Sequence, residues 1–118
     1  MTKAQQVERY VALLRVPLRL ADWAITIKLT AYQSERAACV AQPEYKEATL
    51  YFNLRRIPKT QLFAYVLHEM LHMHVWRLAA VGERLAENPK DLEAVRWEEE
   101  ALTVELERIL EPLLEPTD

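Results

Sequence analysis

The sequence predicts an α+β domain, and three observations support this fold class. The chain has 118 residues, of which 51% are hydrophobic and 28% charged, a composition typical of a domain with a packed core. Apolar residues recur at helical spacing in both terminal parts, whereas the segment between them has the patterns of strands. No linker, repeat or low-complexity tract divides the chain. We therefore expect residues 1–118 to form one domain with helices on one face of a small sheet.

The first helix is predicted over residues 3–16, where apolar side chains recur at steps of three and four. Pro17 ends this pattern because proline cannot continue a helix. Over residues 23–30 the apolar side chains alternate with small or polar ones, which is the period of a half-buried strand. Residues 36–42 form a weaker strand candidate.

The third strand is predicted over residues 47–53, which are rich in β-forming residues. Residues 43–46 connect it to the second strand and have the composition of a tight turn, with Pro43 at its start. Three successive strands with short links predict a three-stranded antiparallel meander.

Two helices are predicted in the C-terminal half. The first spans residues 58–81, with Pro58 at its start and Gly82, the only glycine of the chain, at its end. The second spans residues 90–114.

Composition excludes several classes of protein. A single glycine rules out glycine-rich phosphate-binding loops, and a single cysteine, Cys39, rules out a disulfide framework. No apolar stretch is long enough to cross a membrane, and the N-terminus lacks the features of a signal peptide, so we expect a cytoplasmic protein. Residues 1–82 carry a net charge of +5 and residues 83–118 a net charge of −8. The positive charges are scattered apart from Arg55, Arg56 and Lys59, a pattern that argues against a nucleic-acid partner.

The segment 66–76, VLHEMLHMHVW, contains the motif H-E-x-x-H at His68, Glu69 and His72. On a helix, residues four positions apart lie on one face, so both imidazoles can reach a single ion. Glu69 can then act as a general base on a water molecule whose pKa zinc lowers. The helix is apolar nearly all round, and burying two histidines and a glutamate without partners is costly. The sequence therefore predicts a Zn²⁺ site.

The third ligand is predicted on the last helix. His74 lies about 200° round the helix from His72 and should point away. Apolar residues of the last helix follow a heptad-like seam at positions 92, 95, 102, 106, 109 and 113, and Glu99 fills the one gap in it. A carboxylate on a core-facing seam needs a partner, so we expect Glu99 to be the third ligand. Glu98 and Cys39 are the alternatives.

These features resemble the gluzincin branch of the zincin metallopeptidases. The order of helix, strands, H-E-x-x-H helix and glutamate helix is similar to small zincins of phages and mobile elements. The metzincin extension is absent, because Val75 and Leu78 occupy its glycine and histidine positions, and Leu71 replaces the glycine that repressor-cleaving metallopeptidases usually carry inside the motif.

The resemblance implies zinc ligation by His68, His72 and a glutamate, here Glu99, with Glu69 as the base. It also implies that strand 47–53 is an edge strand that pairs with the backbone of an extended peptide substrate along Ala48, Leu50 and Phe52. The resulting hypothesis is a zinc-dependent endopeptidase with a protein or peptide substrate, whose oxyanion-stabilising group could be Tyr51, Tyr65 or His74. The alternative is a non-catalytic, zincin-like metal-binding interaction module. The sequence does not indicate an oligomeric state.

Overall fold

The computed structural model describes residues 1–116 and has an α+β architecture. Residues 117 and 118 of the predicted domain lie outside the described part. The elements in chain order are α1 (Lys3–Arg15), β1 (Ala24–Lys28), β2 (Ala37–Gln42), β3 (Glu47–Phe52), α2 (Leu62–Leu85) and α3 (Pro89–Leu114), with short 3₁₀ turns at Pro43–Tyr45 and Lys59–Gln61. The three helices and three strands confirm the predicted fold class.

The sheet is mixed, so the predicted antiparallel meander is wrong. The strand order is β1-β3-β2, with β3 parallel to β1 and antiparallel to β2. The predicted hairpin between β2 and β3 is present, and Lys46 adopts a left-handed conformation in its turn. The link from β1 to β2, residues 29–36, is long enough to cross two strand spacings of about 4.8 Å each. The chain can therefore leave a gap of one strand between β1 and β2, and β3 occupies that gap.

Because β3 is the central strand, the prediction that residues 47–53 form a substrate-binding edge is also wrong. Both edges of β3 are occupied by backbone hydrogen bonds to its neighbours. The side chains of Ala48, Leu50 and Phe52 are buried in the core between the sheet and the helices. None of these three residues can therefore pair with an added peptide.

Helix α2 is the central element of the helical layer, and it contacts α1, α3 and β2. It begins later and ends later than predicted, because Lys59–Gln61 form a 3₁₀ turn and the helix continues through Gly82. A Cβ atom at Gly82 would lie 3.0 Å from Cγ1 of Val95 on α3. The glycine is thus not a helix terminator, and it lets α2 and α3 approach closely.

Helix α3 turns a different face to the domain than the heptad seam predicts. Leu102, Ile109 and Leu113 of that seam are exposed. One row of less exposed residues along the helix consists of Leu92, Val95, Glu99, Thr103, Leu106, Leu110 and Leu114. Their mean spacing is about 3.67 residues, which is the period of an eleven-residue repeat on a nearly straight helix.

This difference can be tested with matched leucine truncations. We expect Leu110→Ala to lower the free energy of unfolding by about 1–2 kcal/mol, because Leu110 packs against the core. Leu113→Ala should cost less than about 0.5 kcal/mol, since its side chain is 74% exposed. Urea unfolding followed by circular dichroism measures both values, and a larger loss for Leu113→Ala would support the heptad seam instead.

Candidate metal centre

The two histidines of the motif lie side by side on α2, as the sequence predicts. Residues 68 and 72 are one helical turn apart, and their imidazole rings meet edge to face with centroids 4.9 Å apart. Both side chains are largely buried, with 18% and 14% of their surface exposed. The helix therefore presents two imidazoles to one small volume beside α3.

The Nε2 atoms of both rings converge on the carboxylate of Glu100. Oε1 of Glu100 lies 3.0 Å from Nε2 of His68, and Oε2 lies 3.4 Å from Nε2 of His72. One ligand atom from each of these three residues lies within 4.8 Å of the other two. The Glu100 side chain is about half exposed, so this group is open to solvent on one side.

The opposite ring nitrogens face two other carboxylates of α3. Nδ1 of His72 lies 3.3 Å from Oε1 of Glu99, and Nδ1 of His68 lies 3.6 Å from Oε2 of Glu107. The buried hydroxyl of Thr103 donates a hydrogen bond of 2.8 Å to the backbone carbonyl of Glu99. Each imidazole is thus held between two carboxylates.

The carboxylate that lies close to both histidines is that of Glu100 and not that of Glu99, which the sequence predicts as the third ligand. Glu99 does turn inward, as the seam predicts, but it contacts the far nitrogen of His72. Among residues 1–116, the only group of metal-binding side chains combines His68, His72 and Glu100, so the alternatives Glu98 and Cys39 are also outside it. Sequence reasoning missed Glu100 and Glu107, although their spacing of seven residues places them on one face of a helix.

Glu69 is buried next to this group, and its side chain is not ionised easily. Burial, together with the negative charges of Glu100, Glu35 and Glu107, raises its pKa to about 8. A carboxyl group with such a pKa is mostly protonated at neutral pH. A cation nearby would favour its ionised form.

The electrostatics of His72 favour the neutral ring. Burial and the neighbouring His68 lower the pKa of His72, against the opposing effect of the carboxylates of Glu100 and Glu99. Burial also raises the pKa of the Cys39 thiol, with a further contribution from Glu69. A neutral imidazole has one unprotonated nitrogen, which is the form that binds metal ions.

Two cavities meet at this group and run along β2. The Arg56 cavity, about 490 Å³, is bounded by residues 34–37, Arg56 and the first turns of α2. The Trp76 cavity, about 410 Å³, is bounded by residues 37–39, Trp76 and Glu100. His68 and Glu69 line both cavities. The open edge of β2 and α2 therefore form the two walls of a cleft centred on the motif.

Of the three residues considered for oxyanion stabilisation, only Tyr65 lines this cleft. Tyr51 stacks on Tyr32 with ring centroids 4.8 Å apart. A ring nitrogen of His74 contacts the backbone carbonyl of Leu18, so His74 points away from the site as predicted.

Two of the three basic residues that lie close together in the sequence have different hydrogen-bond partners in the structure. Lys59 donates a hydrogen bond to the backbone carbonyl of Met1, whereas Arg56 lines the cleft and donates to the carbonyl of Ser34. Arg55 takes part in neither contact.

Comparison with models of protein families, with curated protein sequences and with solved structures finds no match for the chain. Within the described residues, none of the helices combines the length and the apolar character that a membrane span requires. The assignment of function thus depends on the geometry of the site.

The raised pKa of Glu69 predicts a pH-dependent stability in the metal-free protein. Between its ordinary value of 4.5 and about 8, the folded state binds more protons at this residue than the unfolded state does. The stability that Glu69 contributes is therefore complete below pH 4.5 and is lost as the pH rises through about 8. The lowered pKa of His72 acts in the opposite direction at acid pH, so the effect must be measured as a difference.

We expect the stability of the wild-type protein relative to Glu69→Gln to fall by more than about 1 kcal/mol between about pH 5 and about pH 9. Denaturant unfolding in the presence of a chelator measures this difference, and both proteins share the His72 contribution. Glu98→Gln, at an exposed position, is the matched control and should show no such trend. A constant difference across this range would contradict a raised pKa at Glu69.

Proposed function

We propose that the protein is a zinc-dependent endopeptidase in which His68, His72 and Glu100 bind the metal and Glu69 is the general base. The observation that carries this proposal is the convergence of both Nε2 atoms on the Glu100 carboxylate. The open cleft on both sides of this group gives room for an extended substrate.

A count of protons supports a cation at this point. A neutral imidazole carries a single N–H, yet both nitrogens of each ring face a carboxylate oxygen. If Nδ1 of His72 donates its proton to Glu99, the lone pair of Nε2 faces the negative charge of Glu100. The lowered pKa of His72 disfavours a second proton on that ring. A metal ion between Nε2 and Glu100 resolves this repulsion.

The distances are compatible with a zinc ion. Two ligand atoms about 2.1 Å from a tetrahedral zinc ion lie about 3.4 Å from each other. The separations of 3.0 and 3.4 Å between Glu100 oxygens and the two Nε2 atoms are close to that value. Two histidines and one glutamate also match the donor set of catalytic zinc, which leaves a fourth position open.

The residues around this donor set have distinct roles in the proposed reaction. Zinc, when bound, polarises the scissile carbonyl and makes a water molecule more acidic. Its positive charge also favours the ionised form of Glu69, which then accepts a proton from the attacking water and returns it to the leaving nitrogen. Glu99 accepts the Nδ1 proton of His72 and so keeps its Nε2 atom directed at the metal, and the charge of Glu107, 3.6 Å from Nδ1 of His68, favours the same orientation of that ring.

The substrate-binding role that the resemblance implied for β3 passes to β2 in this proposal. β2 pairs with β3 along one edge only, and its residues 37–39 line the cleft beside Glu69. An extended peptide can add to such an edge by backbone hydrogen bonds. We propose a zincin-like fold because the mixed sheet has this edge beside the motif helix. We also propose that the protein acts in the cytoplasm.

A non-catalytic metal-binding module is the second candidate. In its favour, the three proposed ligands come from both α2 and α3, so an ion would join two helices as structural sites do. Burial of Glu69 beside the ligands, where a structural site has no use for a carboxyl group, favours the peptidase.

Metal binding predicts a ranking among the glutamates of α3. We expect about one equivalent of Zn²⁺ per chain in the wild type, and its loss in His68→Ala and in His72→Ala. Glu99→Gln should weaken binding by about 10- to 100-fold, the usual effect of losing a hydrogen-bond partner of a ligand. Glu100→Gln should weaken it further, whereas Glu98→Gln should leave it unchanged.

Competition with a chromophoric chelator measures these affinities. A larger loss for Glu99→Gln than for Glu100→Gln would return the ligand role to Glu99. If the variant with both His68→Ala and His72→Ala binds Zn²⁺ with wild-type affinity, the proposed metal site is wrong.

Hydrolysis predicts a separation of metal binding from activity at Glu69. We expect Glu69→Gln to keep Zn²⁺ and to lose peptide cleavage by at least about 100-fold, because the general base is absent. Cleavage of a diverse peptide mixture, read by mass spectrometry, measures the activity. If metal-loaded wild type and Glu69→Gln give the same products at the same rate, the non-catalytic module becomes the better description.

A further inference from the structure

The Arg56 cavity has two chemically different parts, which can be separated by comparing it with the Trp76 cavity. Glu35, Ala37, His68 and Glu69 line both cavities and so lie where the two meet. The residues that line only the Arg56 cavity are Ser34, Arg36, Arg56, Gln61, Ala64, Tyr65 and Glu107. Because Glu107 faces Nδ1 of His68, its carboxylate is also directed toward the junction.

The part away from the junction is rich in hydrogen-bond donors. Nη1 of Arg36 donates to the hydroxyl oxygen of Tyr65 at 3.2 Å, so the phenolic proton of Tyr65 can be donated elsewhere. Nη1 of Arg56 donates to the carbonyl oxygen of Ser34 at 2.9 Å. Each of these contacts uses one of the five N–H groups of a guanidinium and fixes its position at the cavity wall.

The charges of these two arginines are not neutralised by the protein. Within residues 1–116, no carboxylate lies within 4.0 Å of either guanidinium, whereas the carboxylates of Glu99, Glu100 and Glu107 each lie within that distance of an imidazole. The negative charges of Glu35 and Glu107 lie toward the metal-binding group, at the other end of the cavity. Both arginines are exposed, so a ligand can reach them from solvent.

We propose that the Arg56 cavity selects substrates with a carboxylate close to the scissile bond, bound by Arg36 and Arg56. Guanidinium groups match the planar geometry of a carboxylate and form charge-assisted hydrogen bonds with it. The cavity extends from His68 and Glu69 to the two arginines, so the carboxylate would belong to a residue next to the bond that is cleaved. This inference rests on the proposed peptidase function.

The carboxylate could be an aspartate or glutamate side chain or the free C-terminus of a peptide. Four N-acetylated alanine peptides distinguish these sources: two with an amidated C-terminus carry a central glutamate or glutamine, and two without either residue end in a free carboxylate or in an amide. Binding to Glu69→Gln protein is followed by NMR titration with and without Zn²⁺, so that the result does not depend on cleavage.

We expect at least one carboxylate peptide to bind about tenfold more tightly than its uncharged counterpart. Arg36→Gln and Arg56→Gln should each reduce this preference, and the double variant should abolish it. Arg55→Gln, which removes a neighbouring exposed charge outside the cavity, is the matched control and should keep it. A preference for the glutamate peptide over the glutamine peptide indicates a side-chain carboxylate. A preference for the free C-terminus over the amide indicates the terminal carboxylate.

Equal binding of charged and uncharged peptides would overturn the proposal, as would a preference that survives in the double arginine variant. Selective binding by a protein that neither holds Zn²⁺ nor cleaves peptides would instead support the anion site and reject the peptidase. The two proposals can therefore fail separately.

Discussion

The contact between α2 and α3 is the constraint on which the rest of the structure depends, because it places carboxylates against two buried imidazoles. Glu99, Glu100 and Glu107 approach the rings of His68 and His72 from one helix, while Glu69 is buried on the other. So many acidic groups in a small volume repel one another, and this repulsion adds to burial, the main cause of the raised pKa of Glu69. Apolar packing must hold the helices together against this repulsion, and it does so at both ends of the contact. Gly82 admits Val95 at one end, and Leu110 and Leu114 of α3 pack against the core at the other.

The histidine side of this contact could be predicted from the sequence, and the glutamate side only in part. The motif lies within one helix, so the relative positions of its three residues follow from helical geometry alone. On α3 the seam predicts correctly that Glu99 turns inward, but the half-exposed Glu100 beside it is the residue that lies close to both Nε2 atoms. A heptad seam and an eleven-residue repeat agree at Val95, Glu99 and Leu106, but they differ at residues 102 and 103. Thr103, which is fully buried and bonds to the backbone of Glu99, is a polar residue that a hydrophobicity pattern does not select.

The sheet shows a second limit of the same kind. The positions of all three strands could be predicted to within about two residues, because alternation and β-propensity are local properties. Their pairing could not, since the parallel contact between β1 and β3 joins segments separated by the whole of β2. The alternation in β3 does identify Ala48, Leu50 and Phe52 as one face, and that face is buried. The pattern does not show that β3 has a neighbouring strand on each side. Because β1 and β2 occupy both of its edges, β3 cannot bind a peptide.

The weakness of β2 as a strand candidate has a physical reason that links the fold to the proposed function. Its N-terminal half consists of Ala37, Ala38 and Cys39, small residues with little of the β-propensity shown by the other strands. These same three residues line the cleft opposite the motif. Large β-branched side chains there would strengthen the strand signal and fill the space between β2 and α2. Small side chains keep the cleft open and leave the backbone edge of β2 accessible beside Glu69. The small residues that make β2 hard to predict from the sequence are thus the same residues that leave space for the cleft.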